Sequence, residues 1–135
     1  MSKEEQRIEE ILIKVKECIR THRITVGPKE RQKNLAFLQQ YLIEPKERFK
    51  LLGELTTKNF CEEILEQLKD SPEFDEHIYV FGLEKCLKER LTGKNRNVKI
   101  YIKFQFMKMK DDDNDYTLLI SFHEEEKPLK YMFKK

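Results

Sequence analysis

The stretch VKIYIKFQFM, residues 98–107, decides the fold of this 135-residue chain. Apolar and polar residues alternate strictly along it, and a period of two is typical of a β-strand with one buried side and one polar side. The buried side is expected to hold Val98, Ile100, Ile102, Phe104 and Phe106. The other side then carries Lys99, Tyr101, Lys103, Gln105 and Met107.

A partner strand is predicted from residue 116 to residue 123, beyond the acidic stretch 111–115. Antiparallel pairing through this polar turn is the simplest topology. Alternation predicts an apolar side made of Leu118, Ile120 and Phe122, and an opposite side made of Thr117, Leu119, Ser121 and His123. If both apolar sides join one core, a single surface presents Tyr101, Lys103, Gln105, Ser121 and His123.

The N-terminal part of the chain predicts helices. Apolar residues recur at helical spacing between residues 8 and 19, and Ser2 fits a capping box, so the first helix is expected over residues 3–21. The next few residues are expected to be short and extended. Pro28 fits the first turn of a second helix, which is expected to be lined on one side by Leu35, Leu38 and Leu42.

Two further helices are predicted before residue 70. Pro45 opens a short third helix that ends near Gly53. Thr56 or Thr57 can cap a fourth helix. The apolar stripe of that helix is expected to comprise Phe60, Cys61, Ile64, Leu65 and Leu68.

The pattern changes after the Asp-Ser-Pro break at residues 70–72. Residues 78–81 are aromatic and β-branched, which predicts a strand, and Gly82 is expected to mark a bulge or a bend. Residues 83–92 leave two alternatives, a short helix or the arm of a hairpin. Together the elements predict a single α+β domain, residues 1–135, with helices packed on a C-terminal antiparallel sheet. Its parts are an N-terminal helix and link (1–27), a helical part (28–70) and a sheet part (76–135).

Composition excludes several classes of protein. Charged and hydrophobic residues each make up 39% of the chain, with 4 Gly and 4 Pro, which favours a globular protein over a disordered one. No apolar run reaches the roughly 20 residues of a membrane helix, and the N-terminus lacks a signal peptide, so we expect a cytoplasmic protein without a membrane partner. Cys18, Cys61 and Cys86 include no Cys-x-x-Cys pair, which predicts reduced thiols in packed positions rather than a zinc site.

Charge is segregated although the net charge is only +2. Residues 94–110 hold six basic groups and no acid, and residues 111–126 hold seven acids and no base. The aspartate run lacks the glycine and the terminal glutamate of an EF-hand, so we expect a solvated turn rather than a calcium site. We expect neither a bound metal nor a cofactor.

The shared strand surface carries the groups that metal-independent RNA cleavage needs. That reaction requires a base for the ribose 2′-OH, a cation for the phosphorane and an acid for the leaving 5′-oxygen. His123 could serve as acid or base, Lys103 or Lys99 could supply the charge, and Tyr101 could orient the phosphate or stack on a base. The alternative is the solvated face of an ordinary sheet with cross-strand pairs.

Three strings, in this order, resemble the MqsR family of toxins from toxin–antitoxin systems: IYVFG at residues 78–82, IYIKF at 100–104 and LISFH at 119–123. Shorter matches at residues 33–35, 55–56 and 128–131 extend the resemblance to roughly residues 31–133. It implies a RelE-like α+β fold and a metal-independent endonuclease that cleaves mRNA by 2′-OH attack and so inhibits translation. It also implies a cognate antitoxin as partner.

The resemblance places catalytic roles on Tyr101 and Lys103, and on His123 at the end of the third string. Candidate RNA contacts are Lys99, Gln105, Ser121 and Arg31. An alternative is a non-catalytic module with the same fold that binds a protein partner or RNA, which the acidic stretch favours because a negative loop repels phosphate. A small inhibitor of a host enzyme is a third possibility, for which the sequence offers no test.

Overall fold

The computed structural model describes residues 1–66, 74–109 and 112–133. In chain order its elements are α1 (Lys3–Arg20), β1 (Ile24–Val26), α2 (Arg31–Gln40), α3 (Glu47–Gly53), β2 (Phe60–Leu65), β3 (Phe74–Lys88), β4 (Asn95–Lys108) and β5 (Asp115–Glu124). This confirms the predicted α+β class, with three helices preceding most of the sheet. No helix in the described part of the chain is long and apolar enough to cross a membrane.

The sheet has five strands in the order β1-β5-β4-β3-β2. The pairs from β2 to β5 are antiparallel, and the pairing of the C-terminal strands agrees with the predicted antiparallel sheet. Strand β1 instead runs parallel to β5, with Ile24 opposite Thr117, so the sheet is mostly rather than wholly antiparallel. The sheet also begins well before residue 76, because β1 and β2 both belong to it.

The helices cover one side of the sheet and form the main core with it. Residues of α1, α2 and α3 pack there with alternate residues of β3, β4 and β5. The predicted buried side of β4 is confirmed, since its five members are at most 3% exposed: Val98, Ile100, Ile102, Phe104 and Phe106. The opposite side of β4 is therefore free to build a site.

Helices α1 and α3 form close to their predicted positions. Ser2 caps α1 by accepting a hydrogen bond from the Glu5 amide at 3.1 Å. The predicted side of the second helix is wrong, because Leu35 is 46% exposed and Leu42 lies beyond the helix and is 53% exposed. The buried residues of α2 are Asn34 and Phe37, because this helix packs on β5 through them.

The predicted fourth helix is wrong. Thr56 does act as a cap, but only for a single 3₁₀ turn at Thr57–Asn59, and Phe60–Leu65 is the edge strand β2. Pairing with β3 accounts for the difference, since it satisfies the backbone of β2 and lets the Phe60 ring pack on Phe81 at 5.3 Å. Leu65 is 66% exposed, and residue 68 lies outside the described residues.

The ambiguous segment 83–92 is the arm of a hairpin. Strand β3 continues to Lys88, and the turn to β4 contains Gly93, whose φ of 70° suits glycine. Gly82 stays within the ladder opposite Tyr101 and forms no bulge, contrary to the prediction. Of the cysteines, Cys18 and Cys61 are buried as predicted, whereas Cys86 lies on this arm and is exposed.

Candidate functional site

Strands β4 and β5 bring four of the predicted site residues together. Tyr101 lies opposite His123, and Lys103 lies opposite Ser121. The rings of Tyr101 and His123 stack with their centroids 5.4 Å apart and their planes 24° apart. These four side chains form one cluster on the side of the sheet away from the helices.

A β-bulge in β5 changes which residues accompany this cluster. The register with β4 shifts at Ile120, so both Leu119 and Phe122 reach the main core. The prediction that Thr117 and Leu119 share the side of the cluster is therefore wrong. Thr117 is fully buried opposite the core residue Phe106.

Asn34 of α2 holds the backbone of β5 at this bulge. Strand β1 ends opposite Leu119, so the next residues of β5 have no neighbouring strand on that edge. The Asn34 side chain takes its place: Nδ2 donates to the Ile120 carbonyl at 3.0 Å, and Oδ1 accepts from the Phe122 amide at 2.8 Å. This residue is only 3% exposed, so both hydrogen bonds are protected from water.

Glu30, just before α2, completes the cluster. Its Oε2 accepts hydrogen bonds from Ser121 Oγ and from His123 Nε2, the latter at 2.9 Å. Its Oε1 lies 3.7 Å from Lys103 Nζ. Sequence analysis missed this glutamate, because it is one of many acidic residues and its partners lie on β4 and β5, far along the chain.

The hydrogen bonds define the charge of the cluster. Burial tends to raise the pKa of Glu30, but hydrogen bonds from Ser121 and His123 and the nearby Lys103 charge outweigh it and lower the pKa, so the carboxylate is ionised. His123 Nδ1 donates to the Glu124 carbonyl at 2.9 Å. Both ring nitrogens of His123 therefore face acceptor oxygens.

Tyr101 supplies a neutral phenol to the same site. Burial, with the neighbouring carboxylate of Glu30 as the next cause, raises the pKa of its hydroxyl. The hydroxyl therefore stays protonated and can donate a hydrogen bond at neutral pH. Lys103 Nζ lies 6.0 Å from the centre of the Tyr101 ring, on the edge of the range for a cation–π contact.

The cluster opens into a cavity of about 530 Å³. Tyr101 and His123 line it from the sheet, Glu30 from the start of α2, and residues 126–130 from the segment that follows β5. A volume of this size is typical of small-ligand pockets. The Lys103 side chain is 19% exposed, and among the described residues it pairs with Glu30 but does not line the cavity.

The other predicted RNA contacts lie apart from this cluster. Gln105 is only 6% exposed and donates to the Asp75 carbonyl at 3.0 Å. Lys99 is exposed and borders a second cavity of about 220 Å³. Arg31 is exposed at the first residue of α2 and lines neither of these two cavities.

The cluster combines the groups of an acid–base site. An ionised carboxylate can accept a proton, an imidazole can donate or accept one, and the amine of Lys103 can stabilise negative charge. Among the described residues, no group of three or more His, Cys, Asp or Glu side chains is placed to hold a metal ion.

Comparison of the chain with protein-family models, with curated proteins and with solved structures found no significant match. The geometry of the cluster and the resemblance of the three strand strings share Tyr101, Lys103 and His123. Glu30 is the member of the cluster that no string contains.

Proposed function

We propose that the protein is an endoribonuclease of the toxin class, which cleaves mRNA by attack of the ribose 2′-OH and so inhibits translation and growth. A cognate antitoxin that neutralises it in the cytoplasm is part of the proposal. The observation that carries it is the hydrogen-bonded pair of His123 and Glu30, which borders a cavity beside Lys103 and Tyr101. Three of these four residues are those to which the sequence resemblance assigns catalytic roles.

In the proposed reaction, Glu30 accepts the proton of the 2′-OH as that oxygen attacks the adjacent phosphorus. His123 donates its Nε2 proton to the 5′-oxygen as the bond from phosphorus to that oxygen breaks, which leaves a 2′,3′-cyclic phosphate. Lys103 stabilises the negative charge of the phosphorane. Since Nε2 and Oε2 are 2.9 Å apart, the proton can then return from Glu30 to His123 and restore the starting state.

Tyr101 has a positioning role in this proposal. Its ring already stacks on the imidazole of His123, so it limits the orientations that the acid can adopt. Its protonated hydroxyl can donate to a phosphate oxygen in the cavity. Removing the hydroxyl alone is therefore expected to affect the reaction less than removing His123.

The decisive experiment is cleavage of a defined RNA by the purified protein in the presence of a chelator. His123→Ala is expected to lower the rate by about 10²–10⁴-fold, the usual effect of losing a general acid or base. The matched control is His77→Ala, since His77 also pairs with a glutamate, Glu63, at 2.9 Å but lies away from the cavity. Intact RNA with the wild-type protein, or an equal loss in both variants, would contradict the proposal.

A second control addresses the lysine. Lys103→Ala is expected to lower the cleavage rate, whereas Lys85→Ala removes an equal charge from an ion pair with Glu54 outside the cluster. In cells, expression of the wild-type chain is expected to slow growth, and His123→Ala is expected to relieve this effect. If the wild type and His123→Ala inhibit growth equally, the toxicity does not depend on the proposed catalysis.

One observation favours the second candidate function, a non-catalytic module that binds a protein partner or RNA. Glu30 already forms a hydrogen bond with His123 and an ion pair with Lys103, so these side chains have partners without a substrate. Such a cluster also serves simply to join α2 to the sheet. Binding of RNA without cleavage, unchanged by His123→Ala, would support this candidate instead.

A further inference from the structure

The segment that follows β5 crosses the sheet on the side of the catalytic cluster. This strap, residues 125–133, is anchored to two strands: the Glu125 amide donates to the Lys99 carbonyl of β4 at 2.9 Å, and the Met132 amide donates to the Phe60 carbonyl of β2 at 3.0 Å. At its end the ring of Phe133 stacks on Phe60 with centroids 5.9 Å apart. The strap therefore has a defined position although it has no regular secondary structure.

Gly82 of β3 lets the strap approach the sheet closely. A Cβ at this position would meet the Tyr131 hydroxyl and would lie 2.6 Å from Leu129 Cδ1. Gly82 is opposite Tyr101 in the sheet, so the strap passes directly beside the cluster. A side chain at Gly82 must displace the Tyr131 and Leu129 side chains of the strap, and this gives a way to perturb the strap without changing a charge.

The strap also determines the charge of the cavity. Glu30 pairs with Lys103 at 3.7 Å and contacts His123 Nε2 at 2.9 Å, and Glu126 pairs with Lys33 of α2 at 2.7 Å. The remaining charged groups in the cavity wall are one carboxylate and two lysines: Glu62, Lys127 and Lys130. Both strap lysines are exposed, and neither forms an ion pair within the described residues.

We propose that the strap is the phosphate-binding wall of the site. Lys127 and Lys130 bind the phosphodiester backbone of single-stranded RNA and hold it beside Tyr101 and His123, and Gly82 determines where they lie. The two ammonium groups exceed the one unpaired carboxylate, so an anion is attracted to the cavity. The identity of the ligand as RNA rests on the proposed function, whereas the binding of a polyanion by the strap does not.

The first test measures binding of a 2′-deoxy oligonucleotide, which lacks the attacking hydroxyl, as a function of salt concentration. The double variant Lys127→Ala/Lys130→Ala is expected to bind more weakly. Its plot of log K against log salt should be shallower by about 1.4, since each lost phosphate contact on a single strand contributes about 0.7. The control is Lys3→Ala/Lys16→Ala, which removes the same charge from exposed positions on α1, on the helix side of the sheet.

The second test moves the strap and keeps every charge. Gly82→Ala is expected to weaken oligonucleotide binding, whereas Gly53→Ala is not, because a Cβ at Gly53 meets only Ile19 Cδ1 at 4.0 Å. Unchanged binding and slope in the double lysine variant would overturn the inference, as would a wild-type protein that does not bind the probe. If Gly82→Ala fails to fold, the lysine variant alone decides.

These outcomes separate the strap from the catalytic proposal. If the probe binds in a way that depends on Lys127 and Lys130 but RNA is not cleaved, the endoribonuclease proposal is contradicted and the inference about the strap is supported. Cleavage of RNA, together with probe binding that is unchanged in the Lys127→Ala/Lys130→Ala variant, would overturn the inference about the strap and leave the endoribonuclease proposal in place.

Discussion

Replacing Asn34 with alanine is expected to destabilise the fold strongly for a single helix residue. The side chain is 3% exposed and makes two hydrogen bonds to the backbone of β5. In Asn34→Ala the Ile120 carbonyl and the Phe122 amide lose these partners, and each buried unsatisfied group costs about 1–3 kcal/mol. We expect the unfolding free energy to fall by roughly 2–4 kcal/mol in total. This is less than twice the upper value for one group, because water can enter the space left by the amide.

The loss is measurable by urea unfolding, because it is a large fraction of the roughly 5–15 kcal/mol that stabilises a domain. Gln32→Ala is the matched control, since it removes an exposed amide from the same helix and should change the unfolding free energy by less than about 0.5 kcal/mol. If Asn34→Ala also stays within about 0.5 kcal/mol of the wild type, the two hydrogen bonds do not support β5, and this reasoning is refuted.

Two further predictions concern charged and buried groups. The lowered pKa of Glu30 means that its stabilising effect is present above its ordinary value of 4.5 and is lost as pH falls through the folded-state pKa. The difference in unfolding free energy between wild type and Glu30→Gln should therefore shrink on acidification, and growth of that difference would contradict the assignment. Tyr41 is fully buried, and its hydroxyl donates to Glu124 at 2.8 Å and accepts from Arg96 at 2.9 Å. Tyr41→Phe should lower the unfolding free energy measured in urea by about 1–3 kcal/mol. It should also remove, from the alkaline absorbance titration, a phenol whose pKa is raised to about 12. An unchanged titration curve would contradict the assignment of that pKa to Tyr41.

The parts of the fold that the sequence predicted correctly depend on local pattern. Strand β4 alternates over ten residues because one side meets the helices and the other does not, and its five core residues are all buried. Helix α1 has both a cap at Ser2 and a repeated apolar face, so two signals agree. Where the local signals agree, the spacing of apolar residues in the sequence directly predicts which residues are buried.

The error at residues 60–65 has a different origin. Pairs of apolar residues four apart, such as Phe60 with Ile64, fit the spacing of a helix. The structure places them in an edge strand because the backbone of β3 offers hydrogen bonds there, with Phe60 opposite Phe81 and Ile64 opposite Ile78. That choice depends on a strand more than ten residues away, so no window of local sequence contains the deciding interaction.

The candidate site was predicted only in part, because two of its residues, Glu30 and Asn34, lie at the start of α2, far from β4 and β5 in the sequence. Residues on β4 and β5 follow from alternation, but the bulge at Ile120 and the carboxylate of Glu30 do not. Glu30, which directly precedes α2, and Asn34 within α2 are four residues apart, and both contact β5. Asn34 binds the backbone of β5 at the bulge, and Glu30 binds the side chain of His123.

These paired contacts determine which observation bears on catalysis. The start of α2 contacts both the backbone of β5, through Asn34, and the side chain of His123, through Glu30. Removing either contact can therefore displace His123 even when the removed side chain takes no part in proton transfer. A lower cleavage rate in Glu30→Gln therefore indicates a role in proton transfer only if the variant is fully folded under the assay conditions and the stacking of Tyr101 on His123 is retained. Glutamine keeps an acceptor oxygen for the hydrogen bonds but cannot take the proton of a 2′-OH, so this variant separates positioning by Glu30 from base catalysis.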